Sequence, residues 1–423
     1  MKKIYNIFLN VWNKGFFHVL IANFLFALVA FGSQLLVAKF LTEEELGFIK
    51  IFQSYIQILG ILAGFGFSTS TLILCANPKN DFRKEDIFRT SLYAVLIGSF
   101  FLWFLFLILN YFNLTTNINA LKELFFVFSF VIILNAVIAV FTAYFQAARV
   151  FKKYAQLLLI SKITSLGFIV LFTYWYGIDG FMHGLWVGLF FSLLLNIIYI
   201  KRIFKIKLKA KIEEFNLKIR EQFQIGLHGL GANIFGNLTI HMDIIILSFL
   251  MAENPKLIGQ YSFATIFITG LSMVQGTIVQ VSTPYFSKHL ESKEVLRSIY
   301  SKYNILLFGL SILILLLMYI TLPILINYFY SSKFDSSLWF LKLLLIAWFF
   351  RSLNSINISL LLSLGKTKTL NIINLISAIL VGITSYISIR FFSIDIMLYS
   401  MISISILITL LTYFHIRFKK LIL

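Results

Sequence analysis

Long, continuously apolar runs recur along the whole chain, and their length limits what the chain can fold into. A helix needs roughly 20 apolar residues to cross a bilayer, and a sheet can cross only as a closed barrel. These runs lack the period-2 alternation of barrel strands. Of the 423 residues, 60% are hydrophobic and 13% are charged, which is more apolar surface than a soluble core needs. The sequence therefore predicts an all-α polytopic membrane protein.

About twelve transmembrane helices are predicted from the apolar runs and the charged segments that separate them. The first span follows a short basic segment and lacks a small-residue cleavage site, so we expect it to be retained. The predicted spans are 17–39, 48–75, 89–110, 121–147, 156–176, 180–200, 222–250, 258–284, 302–326, 338–362, 369–392 and 396–417.

Positively charged residues predict the orientation of these spans. When the first segment and every second loop are placed on the cytoplasmic side, that side holds 28 of the 36 Lys and Arg residues. We therefore expect both termini in the cytoplasm. The net charge of +19 is spread between apolar runs and forms no basic patch on a soluble domain, so nucleic acid is not an expected partner.

The longest connection, KRIFKIKLKAKIEEFNLKIREQF at 201–223, separates the sixth span from the seventh. It predicts an N-terminal six-helix lobe at 1–205, a cytoplasmic linker at 206–221 and a C-terminal six-helix lobe at 222–423. Because six spans separate them, the two lobes have the same orientation in the membrane.

The two halves also carry a weak internal repeat. A shift of 212 residues places Gly47 on Gly259 and Gln57 on Thr269, within matching stripes of small or polar residues on the second and eighth spans. Small residues can serve helix packing alone. We also expect two lobes around a central cavity that both helices line.

Arg351 lies near the middle of the tenth span, in the stretch WFFRSLNS at 348–355. A charged side chain at a helix centre costs roughly 2.5–3.5 kcal/mol on insertion scales, so an intramembrane arginine predicts a function. Asn354 is about one turn further along and shares its face. The alternative is a structural ion pair, for which Asp243 is the most available partner.

Polar residues also interrupt the second and seventh spans. Asn233, Asn237 and His241 are spaced i, i+4 and i+8, so they share one face of the seventh span, and Asp243 lies on another. On the second span, Gln53 and Gln57 are one turn apart and favour a wet surface. Lys50 precedes them and either adds positive charge to that surface or extends to the interface.

No enzyme motif is found in the sequence. There is no P-loop, and the six histidines show no metal-ligand spacing with carboxylates. We predict no cofactor and no metal site. The sequence GLHGLG at 226–231 follows no strand, so its glycines favour helix bending or close helix contact. The single cysteine, Cys75, excludes an internal disulfide.

Four stretches resemble one family of transporters. They are LLVAKFLTEEELGFIKIFQSYIQILGILAGFG (35–66), FQAARVFKKYA (145–155), MDIIILSFLMAENPKLIGQYSFA (242–264) and LLSLGKTKTLN (361–371). In order and spacing they resemble the Wzx-type polysaccharide and O-antigen flippases of the multidrug/oligosaccharidyl-lipid/polysaccharide (MOP) exporter superfamily. One departure is HGLG at 228–231, where relatives often carry a proline.

The resemblance implies a MATE-like fold and a role in O-antigen, capsule or exopolysaccharide synthesis. The implied activity is alternating-access transfer of an undecaprenyl-diphosphate-linked oligosaccharide from the inner to the outer leaflet of the bacterial cytoplasmic membrane. Implied partners are this lipid-linked glycan, membrane lipids, a glycan polymerase and ligase, and a coupling ion, H⁺ or Na⁺. The alternatives are an ion-coupled drug antiporter of the same fold and a membrane-embedded glycan polymerase or acyltransferase.

Two sets of candidate site residues follow from these patterns. The substrate-binding candidates are polar or cationic, and the coupling candidates can titrate or neutralise a charge. The substrate-binding set is Arg351, Lys50, Gln53, Gln57, Asn233, Asn237 and Asn354, and the coupling or charge-pairing set is Asp243 and His241.

Overall fold

A computed structural model describes residues 29–77, 83–148, 150–206, 215–290, 292–330 and 333–419, and within these ranges all regular secondary structure is helical. The helices, in chain order, are α1 (Val29–Phe40), α2 (Glu43–Ala63), α3 (Phe67–Ala76), α4 (Lys84–Tyr111), α5 (Asn119–Phe128), α6 (Val131–Ala147), α7 (Phe151–Ile203), α8 (Phe215–Leu250), α9 (Pro255–Ser287), α10 (Lys293–Tyr330), α11 (Asp335–Ser363), α12 (Thr367–Phe391) and α13 (Ile394–Phe418).

The predicted fold class, an all-α polytopic membrane protein, is confirmed. Among the described residues, 9 helices are long and apolar enough to cross a membrane, or 10 if the bent pair α5 and α6 is one span. This number is below twelve because α7 contains both the fifth and the sixth predicted spans. The first predicted span, at 17–39, is described only from Val29 onward.

Helix α7 reverses direction at Gly177, whose backbone is non-helical at φ 58° and ψ −132°. After this turn, three glycines at i, i+4 and i+8 face the first half of the helix. A Cβ on Gly184 would lie 2.7 Å from the Cα of Ile169, and one on Gly188 would lie 2.8 Å from the Cα of Ser165. The glycines therefore let the two halves pack closely as antiparallel spans.

The second predicted span, at 48–75, is not one continuous helix. It breaks between α2 and α3, where Phe65 and Gly66 have positive φ angles of 45° and 76°. Two consecutive left-handed residues cannot continue a right-handed helix. The Phe65 ring lies over Gly98 of α4, where a Cβ would come within 2.7 Å of the ring.

The chain forms two compact units. One includes Phe52–Ile234, and the other includes Thr42–Ile51 and Phe235–Leu423. Helices α2 and α8 each contribute residues to both units. The sequence-based boundaries at 205 and 222 stay a prediction, since 207–214 lie outside the described residues.

The start of α2 is held by a reciprocal cap and by contacts with α9. The backbone N–H of Thr42 donates to the Glu45 carboxylate at 2.7 Å, and the N–H of Glu45 donates to Thr42 Oγ1 at 3.2 Å. This is a capping box. The Glu43 carboxylate accepts from Gln260 Nε2 at 3.2 Å and pairs with Lys256 Nζ at 3.5 Å, so α2 and α9 are joined at their first turns.

Gly47 and Gly259, the residues related by the 212-residue shift, face each other in this contact. A Cβ on Gly47 would lie 3.0 Å from the backbone nitrogen of Gly259, and one on Gly259 would overlap the carbonyl of Glu43. Only glycine allows the α2 and α9 backbones to approach this closely.

Helix α11 lies in the interior of its unit, because buried residues occur along most of its length, from Ser337 to Leu361. Its carboxyl-terminal half contributes Ile356, Leu360 and Leu361 to a hydrophobic core that also contains Phe286 of α9 and Ile416 of α13. Arg351 is therefore carried by a helix that neighbouring helices fix on several sides.

We predict that Gly259→Ala lowers the melting temperature of the purified protein. The added methyl overlaps backbone that cannot move freely, and such overpacking typically costs about 1–3 kcal/mol. Gly309→Ala is the matched control, since nothing lies within 4 Å of its Cβ position. The close-approach interpretation is wrong if both variants melt at the wild-type temperature.

Candidate functional site

The guanidinium of Arg351 is held at one nitrogen. Its Nε donates to the Ser405 hydroxyl of α13 at 3.2 Å. Within the part of the chain that the structure describes, the two Nη groups make no hydrogen bond and are not enclosed in the core. The side chain as a whole is half-buried, and since neither Nη group is fully buried, both remain open to a ligand.

Asp243 of α8 is buried, and a tyrosine side chain donates a hydrogen bond to it. The Tyr261 hydroxyl of α9 donates to Oδ2, while Oδ1 accepts no hydrogen bond from the described residues. The described ion pairs do not include Asp243 with Arg351, although the two charges interact electrostatically. The structural ion pair considered from the sequence is therefore not a direct contact here.

Asn354 is 7% exposed and connects three helices. Its Oδ1 accepts from Thr412 Oγ1 of α13 at 2.6 Å and from Asn357 Nδ2 at 3.2 Å. Asn357 in turn accepts from the Tyr300 hydroxyl of α10 at 2.5 Å. Because its carbonyl oxygen is already shared by two donors, this geometry suits Asn354 to fixing helices near Arg351.

Lys50 is buried on α2, in the same unit as Arg351, and is 8% exposed. Its charge interacts electrostatically with half-buried His241 of α8. Two of the predicted residues from different spans, Lys50 and His241, therefore interact electrostatically.

The remaining predicted residues lie in less enclosed positions. Gln53 is half-buried and Gln57 is exposed on α2, and neither amide has a hydrogen bond to a described residue. On α8, Asn233 is exposed and Asn237 is half-buried. Gln53, Gln57 and Asn233 belong to one unit and Asn237 to the other, so the candidates are not a single described cluster.

A second polar cluster was not predicted from the sequence. Asp86 of α4 is 6% exposed and pairs with Lys218 Nζ of α8 and with Arg89 Nη1, each at 3.2 Å. Sequence reasoning counted both cations as loop charges. The spacing of Lys218 and Gln222, four residues apart on one helical face, could have indicated a packed polar face.

Glycines and small side chains extend this contact along α8. Gln222 Oε1 accepts from the Ser91 hydroxyl of α4. A Cβ on Gly226 would lie 2.7 Å from the carbonyl oxygen of Gly66, and one on Gly229 would lie 3.0 Å from the Thr69 Cβ. The glycines of GLHGLG thus provide close contact of α8 with the α2–α3 break.

Two kinds of chemistry follow from these arrangements. The accessible Nη pair of Arg351 can donate two parallel hydrogen bonds to an oxyanion. The Asp86 cluster joins helices by buried charges, which contribute little net stability compared with apolar packing. In the described part of the chain, no group of three or more His, Cys, Asp or Glu residues is arranged to hold a metal ion.

About two thirds of the sequence matches a known family. A sequence model described as polysaccharide biosynthesis protein matches residues 12–290. No curated protein is significantly similar in sequence.

Solved transporter structures share the fold. Lipid II flippase MurJ, in an inward closed conformation, has a TM-score of 0.74 at 18% identity, over 94% of this chain and 87% of its own. An inward-facing multidrug resistance MATE family transporter of the MOP superfamily has a TM-score of 0.70 at 13% identity, over 94% and 95%. The Vibrio cholerae MATE transporter VcmN has a TM-score of 0.67 at 14% identity, over 97% and 98%. The predicted MATE-like fold is confirmed.

We predict that Lys218→Gln destabilises the protein by roughly 2–4 kcal/mol, because it removes one partner of a buried ion pair. Lys201→Gln, at an exposed position on α7, is the matched control and should be neutral. Thermal unfolding in detergent measures both. Equal melting temperatures for the two variants would contradict the buried pairing of Asp86.

Proposed function

Because the chain belongs to the polysaccharide biosynthesis protein family, we propose that it is a flippase for lipid-linked glycans. Its substrate is an undecaprenyl-diphosphate-linked oligosaccharide, and it moves this lipid from the inner to the outer leaflet of the bacterial cytoplasmic membrane. Both termini face the cytoplasm. The single observation that carries the substrate class is the accessible Nη pair of Arg351 at mid-span.

A diphosphate and a glycan are both excluded from hydrocarbon, so a carrier must replace the water around them. The planar fork of arginine matches a phosphate oxyanion with two hydrogen bonds. Lys50 supplies a second positive charge. The side-chain amides of Gln53, Gln57, Asn233 and Asn237 can form hydrogen bonds with the hydroxyl groups of the sugar.

The proposed driving force is a gradient across the membrane. The membrane potential favours the outward movement of an anionic head group from an inside-negative cell. It contributes about 2.3 kcal/mol per unit charge per 100 mV if no counter-ion crosses with the head group. A coupling ion, H⁺ or Na⁺, adds to this. Asp243 is the candidate to bind the ion, because one of its buried carboxylate oxygens accepts no hydrogen bond from the described residues. His241 is the second candidate.

Alternating access, in which the predicted lobes 1–205 and 222–423 expose the substrate in turn, requires contacts that can separate. The cluster of Asp86, Arg89 and Lys218 joins the N-terminal lobe to the predicted linker, and it can separate because separated charges recover their hydration. A glycan polymerase and a ligase are the partner enzymes, since they consume the product in the outer leaflet.

An ion-coupled antiporter for small molecules is the second candidate, because multidrug MATE transporters share the fold. Cationic drugs favour acidic surroundings, whereas Arg351 and Lys50 favour an anion. Accumulation of a lipid-linked intermediate in the inner leaflet when the protein is absent distinguishes the flippase from the antiporter.

We predict that Arg351→Ala abolishes or severely reduces glycan export and that Arg351→Lys lowers it roughly tenfold or more, since the bidentate fork is lost. Surface glycan in cells that carry only the variant is the measurement. Arg390→Ala, at an exposed position near the end of α12, is the matched control. Normal export by Arg351→Ala at a normal protein level would rule out the assigned role.

We also predict that Asp243→Asn alters ion coupling, because a neutral amide neither titrates nor carries the charge that binds a cation. Transport in reconstituted vesicles with imposed pH, sodium and potential gradients is the measurement, and Asp335→Asn at the exposed start of α11 is the control. If Asp243→Asn keeps the wild-type dependence on all three gradients, the coupling role is wrong.

A further inference from the structure

Three hydroxyl groups lie on one face of α13 and contact α11 around Arg351. Ser405 accepts from Arg351 Nε at 3.2 Å, and Thr409 donates to the carbonyl of Phe350 at 2.9 Å. Thr412 donates to Asn354 Oδ1 at 2.6 Å. Their spacing of i, i+4 and i+7 places all three on the same helical face.

Ser405 is itself oriented before it meets the arginine. Its hydroxyl donates to the carbonyl of Met401 at 2.7 Å, so a lone pair is left to accept from Arg351 Nε. Ser405 is 5% exposed, which keeps competing water away from this bond. A hydrogen bond to a charged donor in such surroundings is stronger than a neutral one.

A second side of α11 is fixed as well. The hydroxyl groups of Ser352 and Ser311 of α10 are 2.6 Å apart, within hydrogen-bond distance. The backbone that carries Arg351 is therefore restrained from α10 and α13, and its side chain is restrained at Nε. The free part of the guanidinium is its Nη pair, the part that forms bidentate bonds to phosphate.

We propose that Ser405 is a positioning residue that orients Arg351 so that both Nη groups meet a diphosphate. This inference rests on the function proposed above and adds a residue that contacts no substrate. Without the Ser405 oxygen, the guanidinium can rotate, and one of its Nη groups can then form a hydrogen bond with the protein instead of with the phosphate. The charge would stay, but the bidentate geometry would be lost.

The test is binding of undecaprenyl diphosphate to the purified full-length protein, measured by native mass spectrometry. Ser405→Ala should weaken binding roughly tenfold, the effect of losing one of the two charged hydrogen bonds from Nη to the phosphate. Ser405→Thr keeps the oxygen and should bind nearly as the wild type does. Ser403→Ala is the matched control, since among the described residues this exposed hydroxyl donates only to the carbonyl of Tyr399 in its own helix.

A double-mutant cycle separates positioning from general packing. In an Arg351→Lys background the Nε donor is absent, so adding Ser405→Ala should weaken binding no further. If the alanine variant folds poorly, Ser405→Cys preserves the volume with a much weaker acceptor and should show the same loss.

Each outcome has a definite meaning. If Arg351→Ala loses binding while Ser405→Ala binds normally, positioning is wrong and the proposed substrate class stands. Normal binding by Arg351→Ala overturns both the assigned role of Arg351 and this inference. An equal loss from Ser405→Ala in the wild-type and the Arg351→Lys backgrounds also overturns positioning.

Discussion

The structure around the proposed site depends on how one permanently charged guanidinium is accommodated halfway along an apolar span. Arg351 finds no direct carboxylate partner among the described residues, and a serine hydroxyl holds its Nε. This solution leaves its charge uncompensated at short range. An unpaired charge within a membrane has a high free energy unless a ligand or water interacts with it. The surrounding hydroxyl and amide bonds are therefore best understood as a support for Arg351.

Helices α2 and α8 are the other unusual elements, because each belongs partly to both compact units. Both helices make close backbone contacts that are possible only because glycine has no side chain. These contacts join Gly47 with Gly259 and Gly66 with Gly226. Both contacts are accompanied by charged groups. Such contacts are tight, yet ion pairs can separate into water without exposing much apolar surface. We propose that the protein opens at these contacts during the transport cycle.

Apolar periodicity predicted the helices well, because a membrane leaves few alternatives for a run of twenty apolar residues. It could not predict the break of α2 at Phe65, since a non-glycine residue with positive φ leaves no simple sequence signal. It also placed Lys218 in a loop. Long-range pairing with Asp86 depends on how helices pack, and one sequence does not contain that distance.

For the candidate site, the sequence indicated which residues to consider but not which atoms they contact. The sequence identified Arg351 from its charge and its position, and the structure shows which of its nitrogen atoms is bound. Asn354 shares its face, but the structure places this side chain between helices. The role proposed for Ser405 was not predicted, because a serine in α13 has no distinguishing pattern until its distance from α11 is known.

Leaflet-resolved transport in vesicles tests the central claim most directly. The protein is reconstituted with a labelled undecaprenyl-diphosphate-linked oligosaccharide. The variant used carries Thr69→Cys and Gly229→Cys, with Cys75→Ser to remove the native thiol. A Cβ at position 229 would lie 3.0 Å from the Thr69 Cβ, so a shift of about 0.5 Å brings the pair to the separation of about 3.5–4.5 Å found in a disulfide. We predict transfer to the opposite leaflet in the reduced protein, arrest on oxidation and recovery on reduction. Transfer no faster than in protein-free vesicles would contradict the flippase, and equal rates in both redox states would contradict opening at this contact.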